Sequence, residues 1–191
     1  MGLRDTLFGR TRPVAPKLEQ LFALPTAALT LETELELVSS GHGGVCFKAG
    51  SGENASESDA EILELLQVGA DPSTVSMSTD SFGFRWVVID DADLGSLVTR
   101  VHGAASTLVD HGLGPHLLCA VFGFVPQHAP GEGDLRLVYL EKQGTFYPFA
   151  PQAGEQRNNE LELRARSFLS GDLPIEPDLT RWMALWDLPV G

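Results

Sequence analysis

The chain has 191 residues and a mass of 20.6 kDa, which suits one domain with short appendages. Its hydrophobic fraction of 43% is enough to build a core and excludes wholesale disorder. The 13 basic and 26 acidic residues give a formal net charge of −13. This charge argues against a nucleic-acid binder, because that class needs a basic face to neutralise phosphates.

The charge is unevenly distributed along the chain. Residues 1–17 carry a net charge of +3, so the remainder carries −16. If residues 3–9 are helical, their apolar side chains share one face. Residues 1–16 are therefore predicted to form a basic arm that rests on an anionic membrane surface. The residues assigned to this contact are Leu3, Arg4, Leu7, Phe8, Arg10 and Arg12. A frayed terminus, or an arm packed on its own acidic body, is the alternative.

Residues 17–171 are predicted to form a single domain of short helices and strands. Hydrophobic spacing defines these elements, with Gly and Pro as breakers. The predicted helices cover residues 17–24, residues 25–29, a stretch from a cap at Ser56 or Ser58 to Val68, residues 94–111, and a last helix capped by Asn158 or Asn159. The predicted strands cover residues 35–39, 44–48, 74–78, 84–89, 117–125, 135–141 and 144–149.

The order of these elements predicts an α+β fold. Strands occur in adjacent pairs with short links, which favours antiparallel pairing. We expect one antiparallel sheet with helices packed mainly on one face. A doubly wound fold is excluded, because strict alternation of strand and helix is missing. The glycine-rich residues 41–44 are interpreted as a turn between two strands, and they lack the lysine of a phosphate-binding loop.

Candidate catalytic and metal-binding residues are few. Asp110, His111 and His116 lie around one turn and could form a metal site, although a polar cap and turn explain them equally well. Asp80 and His42 supply acid–base groups, but the motif of a hydrolase is missing. We therefore predict no catalytic residue, no metal and no cofactor, and we expect a protein that is not an enzyme.

Cys46 and Cys119 are the only two cysteines, and each lies in an apolar run. Two buried thiols in a reducing compartment are expected, with a disulfide or a nucleophile as the alternative. No apolar stretch approaches the roughly 18 residues that a membrane-spanning helix needs, and the N-terminus does not read as a signal peptide. The sequence thus favours a soluble, cytoplasmic protein.

Residues 144–151 combine three aromatic side chains with two prolines. Because proline fixes φ and removes a hydrogen-bond donor, this stiff segment is not expected in the centre of a sheet. It is predicted to form a docking ledge for a protein partner. The partner-binding residues assigned are Phe146, Tyr147, Phe149, Trp182 and Trp186. Alternation of the three aromatic side chains between core and rim is the other interpretation. Residues 172–191, rich in Pro and Trp, are expected to fold over the body.

Several blocks of sequence resemble the PspA-associated protein PspAB family of actinobacteria. They run from one end of the chain to the other, and the Pro-rich aromatic blocks are the most specific. These blocks are Met1–Leu3, Leu7–Thr11, Leu21–Pro25, Ser78–Gly83, Leu137–Leu140, Gly144–Pro151, Leu173–Leu179 and the pair Arg181–Trp182.

The resemblance implies a cytoplasmic accessory protein of the phage-shock type of envelope-stress response. The implied partners are a PspA-like membrane-remodelling coat protein and an HtpX-type membrane protease. We therefore expect a non-enzymatic adaptor or regulator at the inner membrane surface. The element order also resembles the topology of the YbjN and type III secretion chaperone group. That likeness gives the first alternative, a homodimer that holds a client segment; a small-ligand module or an enzyme of unknown class is the second.

Overall fold

A six-stranded antiparallel sheet forms the centre of the fold, seen in a computed structural model that describes residues 15–48, 62–64, 66–67, 74–128 and 133–190. The strand order is β2-β3-β1-β4-β5-β6, and every neighbouring pair is antiparallel. The predicted α+β class with an antiparallel sheet is confirmed. The strands are β1 (Leu37–Lys48), β2 (Val75–Thr79), β3 (Phe84–Asp90), β4 (Leu117–Pro126), β5 (Leu135–Leu140) and β6 (Thr145–Phe149).

Three α-helices with described ends and several short helical turns accompany the sheet. The helices are α1 (Leu24–Leu35), α2 (Leu94–Leu108) and α3 (Asn159–Leu169). Residues 62–64 and 66–67 are also helical, within the predicted helix that ends at Val68, and the rest of that prediction lies outside the described residues. A 3₁₀ helix (Leu18–Ala23) precedes α1, and a small ribbon of β7 (Pro151–Gln152) and β8 (Gln156–Arg157) precedes α3. Helical turns at Val109–Leu113 and Gly114–His116 follow α2, and one at Leu179–Arg181 lies near the C-terminus.

Local sequence signals set the helix ends. Asp93 caps α2, because its side chain accepts a hydrogen bond from the Ser96 N–H at 2.7 Å. Asn158 caps α3 in the same way, which selects one of the two predicted caps. Helix α1 starts with Pro25 in its first turn and runs to Leu35, six residues beyond the predicted end at Leu29. The apolar spacing explains this extension, since Leu31 is still fully buried against the core.

The strand β1 corrects the predicted turn over residues 41–44. One continuous strand of 12 residues replaces two short strands. Ser39 pairs with Phe124 and Gly43 pairs with Phe122, so β1 carries two extra residues at this irregularity. Gly41 has a φ of 76°, which favours glycine. The glycines therefore serve a bulge within a strand.

The central strands bury side chains on both faces. Residues of one parity in the strands, such as Val45, Val87 and Phe122, pack with α1, α2 and α3 in a large apolar cluster. Residues of the other parity, such as Cys46 and Trp86, form a second cluster on the opposite face. The second cluster is completed by the C-terminal segment, here called the strap (residues 172–190). Helices thus cover one face of the sheet and the strap covers the other.

The strap also covers one edge of the sheet. Strand β6 lies at this edge, where the sheet tolerates the missing N–H of Pro148. Along β6, the Phe146 N–H donates to the Pro174 carbonyl and the Glu176 N–H donates to the Phe146 carbonyl, both at 2.8 Å. This pairing satisfies an edge that would otherwise be open to another chain.

Gly44 lies where the strap approaches β1, and we expect Gly44→Ala to destabilise the fold. An added Cβ would lie 2.7 Å from the Val87 carbonyl oxygen and 3.0 Å from Val190 Cγ2. We expect the free energy of unfolding to fall by about 1–3 kcal/mol, as for other overpacked sites. Urea denaturation followed by tryptophan fluorescence measures this change.

Gly103→Ala is the matched control for Gly44→Ala. Gly103 lies inside α2, is exposed, and has no atom within 4 Å of an added Cβ. Alanine is favoured over glycine in a helix, so this variant should gain about 0.5–1 kcal/mol. Equal stability changes in the two variants would contradict the described packing of Gly44.

Candidate functional site

The strap is fixed to the second face of the sheet by aromatic stacking and hydrogen bonds. The rings of Trp182 and Tyr147 stack with centroids 5.9 Å apart and an interplanar angle of 22°. The Trp182 indole N–H donates to the Glu176 carbonyl at 3.1 Å, and the Tyr147 hydroxyl donates to the Met183 carbonyl at 3.0 Å. Arg157 donates to the Trp182 carbonyl at 2.7 Å. These bonds satisfy the polar backbone of a segment that has little regular structure.

A cavity of about 450 Å³ lies between the strap and the sheet. Its floor is formed by the second face of the sheet, with Cys46, Trp86 and Cys119 among the lining residues. Its roof is formed by residues 183–186 and Leu188 of the strap. The volume falls in the range of small-ligand sites, and the lining is almost entirely apolar. We call this feature the apolar cavity.

Exposed apolar side chains surround the mouth of the apolar cavity. Phe82, on the turn between β2 and β3, is 66% exposed, and Met183, on the strap, is 61% exposed. Trp186 is half-buried and packs edge-on against Phe149, with ring centroids 5.1 Å apart and an interplanar angle of 69°. These side chains make the surface around the cavity mouth more apolar than isolated exposed residues would.

Asp80 positions both the mouth and the floor of the apolar cavity. Its carboxylate accepts hydrogen bonds from the backbone N–H groups of Phe82 and Phe84 and from the Trp86 indole N–H, each at 2.9 Å. The neighbouring Ser81 hydroxyl donates to Asp187 of the strap at 3.1 Å. Asp80 lines the cavity, and its three donors give the carboxylate a positioning role in the hairpin.

Cys46 and Cys119 lie side by side on the cavity floor. They are direct partners in the register of β1 and β4, and their side chains point to the same face. Both thiols are free. The hydrogen bond between Cys119 and Cys46, together with burial, raises the pKa of the Cys119 thiol. The burial of both thiols agrees with the prediction from sequence, whereas their pairing across β1 and β4 follows from the strand register.

Glu141 is a buried carboxyl group outside the apolar cavity. It is fully buried at the end of β5, and neither side-chain oxygen has a hydrogen-bond partner among the described residues. Burial raises the pKa of Glu141 to about 8, because the lost hydration disfavours the charged form. The Lys17 N–H donates to the Glu141 carbonyl at 2.8 Å, and the Tyr139 hydroxyl donates to the Lys17 carbonyl. These bonds fix the backbone of Lys17 to the end of β5.

The structure corrects the docking ledge predicted at residues 144–151. Phe146 and Phe149 are 0% exposed and Tyr147 is 1% exposed, so these side chains belong to the core. Phe146 faces the helices, whereas Tyr147 and Phe149 face the strap, which matches the alternative of alternation. The segment is not an exposed ledge because both faces of β6 are covered, one by the helices and the other by the strap.

The two predicted tryptophan sites differ in accessibility. Trp182, itself part of the strap, is buried at 7% exposure, whereas Trp186 is half-buried and lines the apolar cavity together with Tyr147. The cavity therefore brings together Tyr147 and Trp186 but not Phe146. Partner binding at Trp186 stays a prediction. The predicted arm residues Leu3, Arg4, Leu7, Phe8, Arg10 and Arg12 lie outside the described residues.

The histidines of the sequence analysis do not line the apolar cavity. His42 Nδ1 lies 2.6 Å from the Asp90 carboxylate in an exposed pair, and His111 Nδ1 lies 2.7 Å from the Thr107 carbonyl. His116 ends a short helical turn. Within the described ranges, no group of three or more His, Cys, Asp or Glu side chains is arranged to hold a metal ion.

Sequence reasoning missed the residues that define the apolar cavity. In the sequence, Phe82 indicates only a hairpin turn, and no pattern distinguishes Met183 within the C-terminal segment. The exposed Phe within a polar turn was the one available signal, because such a turn gives an aromatic side chain no core to join. Cys46 and Cys119 are 73 positions apart, and their contact depends on a strand register that includes a bulge.

The fold and the site define an α+β protein with an apolar cavity under a C-terminal strap. None of the described helices combines the length and the apolar character needed to cross a membrane.

The sequence model of the PspAB family, described as PspA associated protein B, matches residues 1–190. The chain belongs to this family, and the predicted family resemblance is confirmed. The family name associates its members with PspA, which is consistent with an accessory role. Comparison with curated proteins and with solved structures found no match to the chain.

Glu141→Gln is expected to make the fold less sensitive to pH. The folded state holds the Glu141 proton up to about pH 8, whereas an unfolded glutamate releases it near 4.5. The stabilising contribution of the neutral carboxyl is thus complete below pH 4.5 and lost as pH rises through 8. Glutamine stays uncharged, so the variant should exceed the wild type in stability by on the order of 2 kcal/mol at alkaline pH.

Urea denaturation of both proteins at a series of pH values from about pH 5 to pH 9 measures the difference in their free energies of unfolding. The advantage of the variant should grow as the pH rises and then level off. A difference that stays constant across the series would show that Glu141 titrates alike in the folded and unfolded states.

Proposed function

We propose that this protein is a non-enzymatic adaptor that binds a PspA-like protein through the mouth of the apolar cavity. The observation that carries the proposal is the exposure of Phe82 and Met183 beside an apolar cavity of about 450 Å³. The family name supports PspA as the partner. In this role, apolar side chains of the partner enter the cavity, and the protein supplies a surface without supplying chemistry.

Burial of the mouth provides the affinity in this proposal. Covering apolar surface releases about 25 cal/mol per Å², and large apolar side chains at the centre of an interface dominate its binding energy. Phe82 is held in place by the hydrogen bond from its own N–H to Asp80, so little order has to be gained on binding. A rigid mouth therefore suits a partner with a defined apolar segment.

The charge of the body indicates the chemistry of that segment. Residues 18–191 carry a formal net charge of −16, which attracts basic partners and repels acidic ones. We therefore expect the bound segment of the PspA-like protein to combine apolar side chains with Lys or Arg. Attraction between the charges should speed association, and salt should slow it.

The double variant Phe82→Ser/Met183→Ser is expected to lose the partner. Removing two exposed apolar side chains at an interface should weaken binding by about 10- to 100-fold, while surface substitutions of this kind change stability little. The test is affinity purification of the tagged protein from its host under membrane stress, followed by titration with the purified PspA-like protein.

The matched control is Leu29→Ser/Leu163→Ser. Leu29 on α1 is 62% exposed and Leu163 on α3 is 53% exposed, so both lie on the helical side, away from the cavity. This variant should bind the partner like the wild type. Equal binding by all three proteins would place the interface elsewhere. Capture of an HtpX-type protease in place of the PspA-like protein would identify a different partner for the same surface.

We further propose that the basic arm holds the protein at an anionic membrane surface. The described chain begins beside Glu141, which directly follows the cavity residue Leu140. The first described residues therefore lie close in space to one end of the cavity lining. Each basic residue near such a surface contributes about 1 kcal/mol, so an arm with Arg4, Arg10 and Arg12 supports reversible contact.

Deletion of residues 1–14 should reduce co-sedimentation with vesicles that contain anionic lipid. The loss should be several-fold at low salt and should shrink as salt rises, because the attraction is screened. Vesicles of neutral lipid are the control, and they should bind both proteins equally weakly. Unchanged co-sedimentation after the deletion would remove the arm from the proposal.

A homodimer that holds a client segment is the alternative function. The mass of the purified protein in solution distinguishes it from the adaptor. A monomer that binds the PspA-like protein supports the adaptor. A dimer with which no PspA-like protein co-purifies supports the alternative.

A further inference from the structure

The apolar cavity contains two thiols in contact that the adaptor role does not use. Cys46 of β1 and Cys119 of β4 are direct partners in an antiparallel pair, both free and both lining the cavity. Their side chains lie on the same face of the sheet. Two thiols that face each other in a cavity can be oxidised to a disulfide, with the loss of both S–H hydrogens and the formation of one S–S bond.

The strand register makes a disulfide possible without a change of fold. Directly opposite residues of an antiparallel pair have Cα atoms about 4.5 or 5.5 Å apart, depending on their position in the hydrogen-bond ladder. Disulfides span Cα separations of about 4.4–6.8 Å. Either position thus falls within the permitted range, and the two side chains already share one face.

The surroundings of the thiols select the class of oxidant. Cys46 is 3% exposed and Cys119 is 6% exposed, so both are nearly inaccessible to bulk solvent. Both line the apolar cavity, so a molecule that enters the cavity can contact them. Trp86, Tyr147 and Leu188 are among the other lining residues. A small, uncharged and largely apolar molecule enters such a space at lower cost than a charged one, because a charge would lose its hydration there.

We propose that Cys46 and Cys119 form a redox-responsive dithiol, which an organic hydroperoxide entering the apolar cavity oxidises to an intramolecular disulfide. The Cys46 sulfur attacks the terminal oxygen of the hydroperoxide, and the O–O bond breaks. The alcohol leaves with one proton, and Cys46 becomes a sulfenic acid. The Cys119 sulfur then attacks the Cys46 sulfur, the S–O bond breaks, and water leaves with the remaining proton. The two thiols lose two electrons, and the hydroperoxide gains them.

The first attack is assigned to Cys46 because the pKa of the Cys119 thiol is raised. The hydrogen bond to Cys46 and burial are the main causes that raise the pKa of Cys119. The thiolate is the nucleophile in such reactions, so the residue with the raised pKa acts second. Cys119 is then placed to resolve the sulfenic acid on its direct strand partner.

The test treats the full chain with cumene hydroperoxide and, in parallel, with hydrogen peroxide. Peptide mapping under non-reducing conditions should yield one peptide pair joined through Cys46 and Cys119. Dithiothreitol should restore both thiols, and cumene hydroperoxide should act at least as fast as hydrogen peroxide. The thermal midpoint should rise by up to about 10 °C on oxidation, because the bridge closes a long loop in the unfolded chain.

Three results would overturn the proposal. If both thiols stay free after the folded protein is treated with hydroperoxide, the cavity does not admit the oxidant. Disulfides between two molecules, or sulfinic acid without a disulfide, would show that the second thiol does not resolve the first. Faster oxidation by hydrogen peroxide would remove the selectivity for organic hydroperoxides. All of these readouts use the wild-type chain, so they do not depend on a variant that folds.

Two single variants assign the order of attack. In Cys119→Ser the sulfenic acid on Cys46 has no resolving thiol, so dimedone should label Cys46 strongly after hydroperoxide treatment. In Cys46→Ser the label on Cys119 should be at least several-fold weaker. Equal labelling would contradict the assigned order, and stronger labelling of Cys119 would reverse the roles. None of these measurements involves the PspA-like partner, so their outcome is separate from that of the proposed adaptor function.

Discussion

The inner strands of the sheet carry apolar side chains on both faces, and this constraint shapes the rest of the molecule. A sheet with one apolar face can leave the other in water, but a sheet with two must be covered twice. The helices α1, α2 and α3 cover the first face. The chain then has only the strap left for the second face, and a strap of irregular backbone cannot fill that face as evenly as a layer of helices. The apolar cavity is the space that remains.

An irregular segment can cover a sheet only if its own polar groups are satisfied. In the strap this is achieved by side chains that reach from the body and from the strap itself. Arg157 joins two layers, because it donates to the Trp182 carbonyl and also pairs with the buried Glu162 carboxylate at 2.9 Å. Glu162 in turn accepts from the Ala150 N–H at 2.9 Å. The start of α3, the end of β6 and the strap are thereby held by one connected group of charges, which is stable in a buried setting because each charge is paired.

The sequence alone was sufficient for the fold class and for most element boundaries, since these depend on local spacing and caps. The cap at Asn158 and the turn that follows β2 are examples. The sequence was insufficient for everything that depends on register or on the second layer. Residues 41–44 were interpreted as a turn because glycines permit one, whereas the structure uses them for a bulge and for close approach of two layers. Aromatic residues 146–149 were interpreted as a docking surface because a single strand cannot reveal that both of its faces are buried.

The same reasoning explains why the apolar cavity, and not a polar cluster, is the better candidate for function. Each polar cluster in the described ranges has a visible structural use: Asp80 organises a hairpin, Asp93 caps a helix, and Glu162 pairs with Arg157. These groups contribute to stability and need no further explanation. The cavity and its exposed mouth do the opposite, because unfilled apolar space forfeits packing energy and exposed apolar side chains forfeit burial. A feature that lowers stability and serves no structural end is where a functional requirement is expected. In this fold that requirement coincides with the one surface where Phe82, Met183 and two contacting thiols meet.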